Sequence, residues 1–143
     1  MATKIDVYEL FEHTADLGLR VTAATLEELL IEGARGLLAM LVANPQAVRP
    51  VQTRTITFEA EQPSYQLFDW LSELLYTFES EKLLLVEFDL RIENCRLIAN
   101  CRGEPMDPTR HQMEHEVKAI TYHGLRAEQK TDGAWFAEVI VDI

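Results

Sequence analysis

The chain has 143 residues, 48% of them apolar and 26% charged, the size and balance of one globular domain and not of a disordered, collagen-like or coiled-coil chain. Acidic residues outnumber basic ones 24 to 13, a formal net charge of −11, with a sequence pI near 4.7. Such a surface repels phosphate backbones, whose binding relies on Lys and Arg, which argues against direct nucleic-acid grip and against docking on anionic membranes.

Met1–Tyr8 has no apolar core behind a basic segment, and no run of eighteen apolar residues occurs, so neither a secretory signal nor a membrane span is expected. Phe11–Gly18 reads as a loop between short strands. Thr25 opens the first helix, with Glu28 three residues on as a capping box. Leu26, Leu29, Leu30, Ala34, Leu37, Leu38 and Leu41 give one apolar face, with Gly33 on the same stripe. Pro45 is expected to end it, because the residue before a proline avoids helical angles. Ile56, Phe58 and Ala60 alternate with polar residues as a half-buried strand. The second helix is expected from about Ser64 to Phe78, on the stripe Leu67, Phe68, Leu71, Leu74, Leu75 and Phe78.

Further strands follow. Leu84, Val86, Phe88, Leu90 and Ile92 alternate, and a tight turn at Asn94 leads to Leu97, Ala99 and Cys101. Val117, Ala119 and Thr121 suggest another strand, with Lys118 on its opposite face beside Ile120 and Tyr122. Asp132-Gly133 is a two-residue hairpin signal between Leu125–Lys130 and Ala134–Ile143. In the last strand Trp135, Ala137, Val139, Val141 and Ile143 share one face, and Phe136 and Ile140 lie on the other. The expected fold is α+β: a mostly antiparallel, mixed sheet with two amphipathic helices packed on it, in a single domain over 1–143. Cys95 and Cys101, six residues apart along one strand, would lie about 20 Å from each other, beyond disulfide reach. Two unpaired thiols suit a reducing cytoplasm.

Two places carry unusual chemistry. The first is the loop holding His13 and Asp16, since loops placed by a scaffold often carry function; the plain alternative is an Asx turn made by Asp16 into Leu17-Gly18. The second is the end of the sequence, where Val141-Asp142-Ile143 still runs as apolar strand. There the terminal carboxylate lies one residue from Asp142, and two such anions repel unless a cation lies between them. If Asp16 folds onto this rim, three oxygen donors converge, a set suited to Ca²⁺, Mg²⁺ or Mn²⁺. The bland alternative is a solvated acidic strand end. Lys118, between apolar neighbours, either snorkels to solvent or presents a cation near the same rim.

Other patterns point away from catalysis. His111-Gln112-Met113-Glu114-His115 matches H-x-x-E-H, which binds zinc only on a helix; Pro108 and the strand beginning at Val117 leave room for a single turn. There is no Gly-rich phosphate loop, no nucleophile elbow and no cysteine–histidine pair.

The chain resembles the archease family. The likeness runs through Phe11-Glu12-His13-Thr14-Ala15-Asp16-Leu17-Gly18, Thr25-Leu26-Glu27-Glu28-Leu29 and Asp69-Trp70-Leu71-Ser72-Glu73-Leu74-Leu75-Tyr76. It continues through Gly103-Glu104, Asp107, Arg110-His111, Glu116–Ala119, Thr121-Tyr122-His123 and Val139–Ile143. Val141 stands where family members often have an aromatic. The resemblance implies a helper in tRNA splicing, one that activates the RNA ligase joining 3′-phosphate or cyclic-phosphate ends to 5′-hydroxyl ends. Such a helper promotes ligase guanylylation and repeated turnover and broadens nucleotide cofactor use. By the same resemblance, Asp16, Asp142 and the terminal Ile143 bind a divalent cation, Ca²⁺ in crystals, with Mg²⁺ or Mn²⁺ as alternatives. Lys118 and His13 would contact or activate a transiently bound ligase, with no strong nucleic-acid binding of the chain's own. The competing readings are a stand-alone metal-dependent hydrolase or nuclease, for which no general base is visible, and a general chaperone.

Overall fold

The computed structural model describes residues 6–13 and 16–143. In chain order the elements are β1 (Val7–His13), β2 (Asp16–Ala23), α1 (Leu26–Leu41), a 3₁₀ turn (Pro45–Ala47), β3 (Gln52–Glu59), α2 (Pro63–Glu81), β4 (Leu83–Glu93), β5 (Arg96–Pro105), β6 (Ala119–Ile120), β7 (Arg126–Gln129) and β8 (Trp135–Asp142). The strands form two sheets. One runs β1-β2-β8, with β6 and β7 sharing the far edge of β8; the other runs β3-β5-β4. Every pairing between these strands is antiparallel, so the expected α+β class holds, with two sheets where one was expected.

Both helices pack on each other and on the inner faces of both sheets, and one continuous apolar core results. Thr25 caps α1 as expected, its hydroxyl accepting the Glu28 N–H at 3.1 Å. α1 stops at Leu41, four residues before Pro45. Val42 is extended there and bridges to Met113, and the N–H groups of Glu114 and His115 take the Leu41 and Met40 carbonyls. A neighbouring segment thus supplies the donors that helix termini lack. α2 runs one turn beyond Phe78 and ends at Lys82, which adopts a left-handed conformation at φ 54°. Trp70, fully buried, donates its indole N–H to the Leu30 carbonyl at 2.8 Å and ties the helices together.

Three local expectations are corrected. Cys95 is in the β4–β5 turn, exposed, with Asn94 and Cys95 both at positive φ; only Cys101 faces the core. Such paired positive-φ residues are the geometry of a two-residue hairpin turn. The β7–β8 turn is one residue longer than Asp132-Gly133 suggests: the Lys130 N–H donates to the Ala134 carbonyl around Thr131, Asp132 and Gly133. The strand near Lys118 shrinks to Ala119–Ile120, and its buried residue is Ile120, not Ala119. Val117 is buried too, but ahead of the strand, where alternation does not apply.

Candidate functional site

β2 and β8 lie side by side at the middle of the five-stranded sheet. Their buried faces are matched: Leu17 opposite Val141, Leu19 opposite Val139, Val21 opposite Ala137. Alternation then sends Asp16 and Asp142, which are cross-strand partners, to the face turned away from the helices. His13 pairs with Asp16 on one side and Ala119 with Asp142 on the other. The row across this end of the sheet therefore reads His13, Asp16, Asp142, Ala119. Thr14, Ala15 and the His13 side chain lie outside the described residues. Asp16 is not in a loop, as the sequence suggested, but opens a strand.

The next rows back support this end. Phe11 crosses over Gly18, where an added Cβ would come within 2.1 Å of the ring, so glycine is needed to seat the aromatic. Arg20 stacks on the same ring at 4.0 Å and holds Glu138 at 2.7 Å and Glu9 at 3.7 Å.

Directly opposed residues of an antiparallel pair have Cβ atoms about 5 Å apart, and like charges so placed destabilise the sheet. Two carboxylates at that spacing suit one hard cation, for which oxygen donors at about 2.3–2.6 Å are normal for Ca²⁺. Ile143 packs its half-buried side chain against the core, which holds its main chain next to Asp142. The donor set is all oxygen: two side-chain carboxylates plus the carboxylate of Ile143 where that residue ends the chain. These oxygens fit Ca²⁺, Mg²⁺ or Mn²⁺. Among the described residues no group of three or more His, Cys, Asp or Glu is gathered as a metal would need.

Lys118 lies beside the row, its N–H donating to the Asp142 carbonyl at 2.8 Å. Its side chain is exposed and lines an open groove of about 290 Å³ with Phe78, Glu79, Lys82 and His115.

A second polar cluster was not read from the sequence. Glu104, buried at the end of β5, takes the Arg49 N–H at 2.7 Å, the Arg110 guanidinium and His111 Nε2 at 3.1 Å. His111 Nδ1 accepts the Asp107 N–H at 2.9 Å, so its ring proton is on Nε2 and is donated to Glu104. Burial alone would raise the Glu104 carboxyl, but these three donors hold it below the ordinary glutamate range. The cluster clasps segment 106–112 to the start of β3's approach, where Asn44 also holds the Arg110 carbonyl and the Gln112 N–H. His111 is thus a core residue, and segment 111–115 is not helical; the H-x-x-E-H pattern brings no histidine pair onto a helix face. Glu104 escaped notice because it falls out of step with the buried positions Leu97, Ala99, Cys101 and Gly103 of its strand.

A family model described as the Archease protein family matches residues 8–143. Among curated relatives, a protein archease of Methanopyrus kandleri is 39% identical over 95% of this chain and 99% of its own length. One from Thermococcus kodakarensis is 37% identical over 95% and 98%. The solution structure of Methanobacterium thermoautotrophicum Protein 1598 superposes with a TM-score of 0.83 at 28% identity, covering 95% of this chain and 98% of that one. A Thermotoga maritima archease, described as a possible chaperone, shares the fold with a TM-score of 0.67 at 20% identity. The chain belongs to the archease family.

Proposed function

We propose that the chain is a non-catalytic activator of the tRNA-splicing RNA ligase, working in the cytoplasm by transient contact with that enzyme. In this reading Asp16, Asp142 and the Ile143 carboxylate hold a divalent cation, Ca²⁺, Mg²⁺ or Mn²⁺. The observation that carries it is the register that sets Asp16 directly opposite Asp142, together with membership of the family. A hard cation there neutralises the rim and offers open coordination positions to oxygen atoms of the partner. Lys118, tied through its N–H to the Asp142 carbonyl, would contact the ligase from the adjoining groove, and His13 borders the row on the other side. The −11 charge suits a partner whose RNA-binding face is basic, since complementary fields raise association rates. Promotion of guanylylation, repeated turnover and wider nucleotide use are the effects expected on the ligase.

The test is guanylylation of the ligase in a single turnover, with this protein at a tenth of the ligase concentration. The expected result is strong acceleration by the wild type and a loss of at least tenfold with Lys118→Ala. No acceleration at any metal or salt concentration would contradict the reading, as would RNA cleavage by the protein alone.

A further inference from the structure

α2 turns a face outward that the core does not use. Tyr65, Asp69, Glu73 and Tyr76 are spaced four, four and three residues apart, which aligns them on one stripe. The opposite stripe, Leu67, Trp70, Leu71 and Leu74, is buried. Tyr65 is 49% exposed and Tyr76 66%, and Tyr122, 62% exposed, adds a third ring from the segment after β6. Tyr122 is held in place: it stacks on Phe68 at 3.9 Å and meets Tyr65 edge-on at 6.5 Å. A large aromatic already fixed in orientation loses little entropy when something covers it.

The charge on this face is of one sign. The nineteen residues of α2 carry Asp69, Glu73, Glu79 and Glu81 and no Lys or Arg. Glu81 is bound by Arg54, whereas Asp69 and Glu73 make no ion pair among the described residues. Asp69 is half-buried, and its desolvation pushes its carboxyl up, a cost that an incoming cation would relieve. Elsewhere the chain lays its own cations over Phe11, Phe78 and Phe136. Among the described residues none lies over Tyr65, Tyr76 or Tyr122.

We infer that this face, Tyr65, Asp69, Glu73 and Tyr76 with Tyr122 beside it, docks a basic segment of a protein partner bearing arginine or lysine. Guanidinium groups stack on tyrosine and pair with carboxylates, and tyrosine and arginine are both enriched among interface hot spots. A second copy of the chain would bring acid against acid, and a nucleic acid would bring phosphate against carboxylate. The inference rests on the proposed mode of action through a protein partner. It extends that reading, because Tyr122 is two residues beyond β6, whose Ala119 stands opposite Asp142. One partner could cover both regions.

The experiment measures binding of two probes, the RNA ligase and an arginine-rich peptide, to the full chain labelled with ¹⁵N. Asp69→Asn with Tyr76→Ala should weaken both at least tenfold, leaving the melting temperature and Ca²⁺ binding unchanged. Peptide-induced amide shifts should centre on residues 65–76. Wild-type affinity in the double variant, or shifts centred away from α2, would overturn the inference. If the ligase binds and only Asp142→Asn weakens it, the docking face is wrong and the proposed function stands. If the peptide binds at α2 but the ligase does not bind, the face stands and the proposed function falls. Binding of neither probe overturns both.

Discussion

Asp16 and Asp142 stand opposite each other on adjacent antiparallel strands, although 126 positions separate them in the chain. Their meeting is enforced by apolar neighbours and not by the acids themselves. Leu17, Leu19 and Val21 face Val141, Val139 and Ala137, all buried. A slip of one residue by either strand would turn that strand's carboxylate into the core, so the hydrophobic pattern holds two like charges side by side.

Gly103 pairs with Leu85, next to the bulge between Leu85 and Glu87. A Cβ at this position would sit 1.8 Å from the Leu84 carbonyl oxygen, and backbone cannot yield as a side chain does. Gly103→Ala is expected to cost about 3 kcal/mol, read from urea unfolding. An unchanged midpoint would show that the strands part more easily than this packing implies.

Glu104 should make the fold acid-sensitive. Its carboxyl is held below the ordinary glutamate range in the folded chain. Its contribution is therefore present above the unfolded value of about 4.3 and is lost as the pH falls through the lower folded value. Glu104→Gln should cost about 1–3 kcal/mol at neutral pH and should flatten the fall of the melting temperature on acidification. A variant that loses stability in parallel with the wild type between pH 6 and pH 3 would assign acid sensitivity to other carboxylates.

The two cysteines should react differently. Cys101 is fully buried, and burial pushes its thiol up to about 12, so the nucleophilic thiolate is not formed at neutral pH. Cys95 is exposed in its turn. Iodoacetamide should add one label to the native protein, at Cys95, and a second only in denaturant. Two labels on the native protein would mean that the β4–β5 hairpin opens.

The elements that were legible in the sequence are those whose own side chains specify them. Thr25 and Glu28 mark the start of α1, and the alternation from Trp135 to Val141 marks β8 and its buried face. Asp16 and Asp142 were legible as acids, and their convergence as an expectation. What local pattern could not supply is pairing at a distance. α1 stops where Glu114 and His115 meet its last carbonyls, and β6 is short because only Ala119 and Ile120 keep ladder register with β8. Glu104 and His111 are partners only once β5 and the following segment fold together. The α2 stripe was read for its apolar side alone, so the exposed Tyr65 and Tyr76 on the other side passed unremarked.

The central claim, that the strand-end carboxylates hold a hard cation, is tested most directly by calorimetric titration of the metal-free protein with Ca²⁺. The wild type should bind one ion. Asp142→Asn should bind at least tenfold more weakly, and so should a chain with two glycines appended after Ile143, which converts that carboxylate to an amide. Binding of equal strength in Asp142→Asn and the wild type would contradict the site.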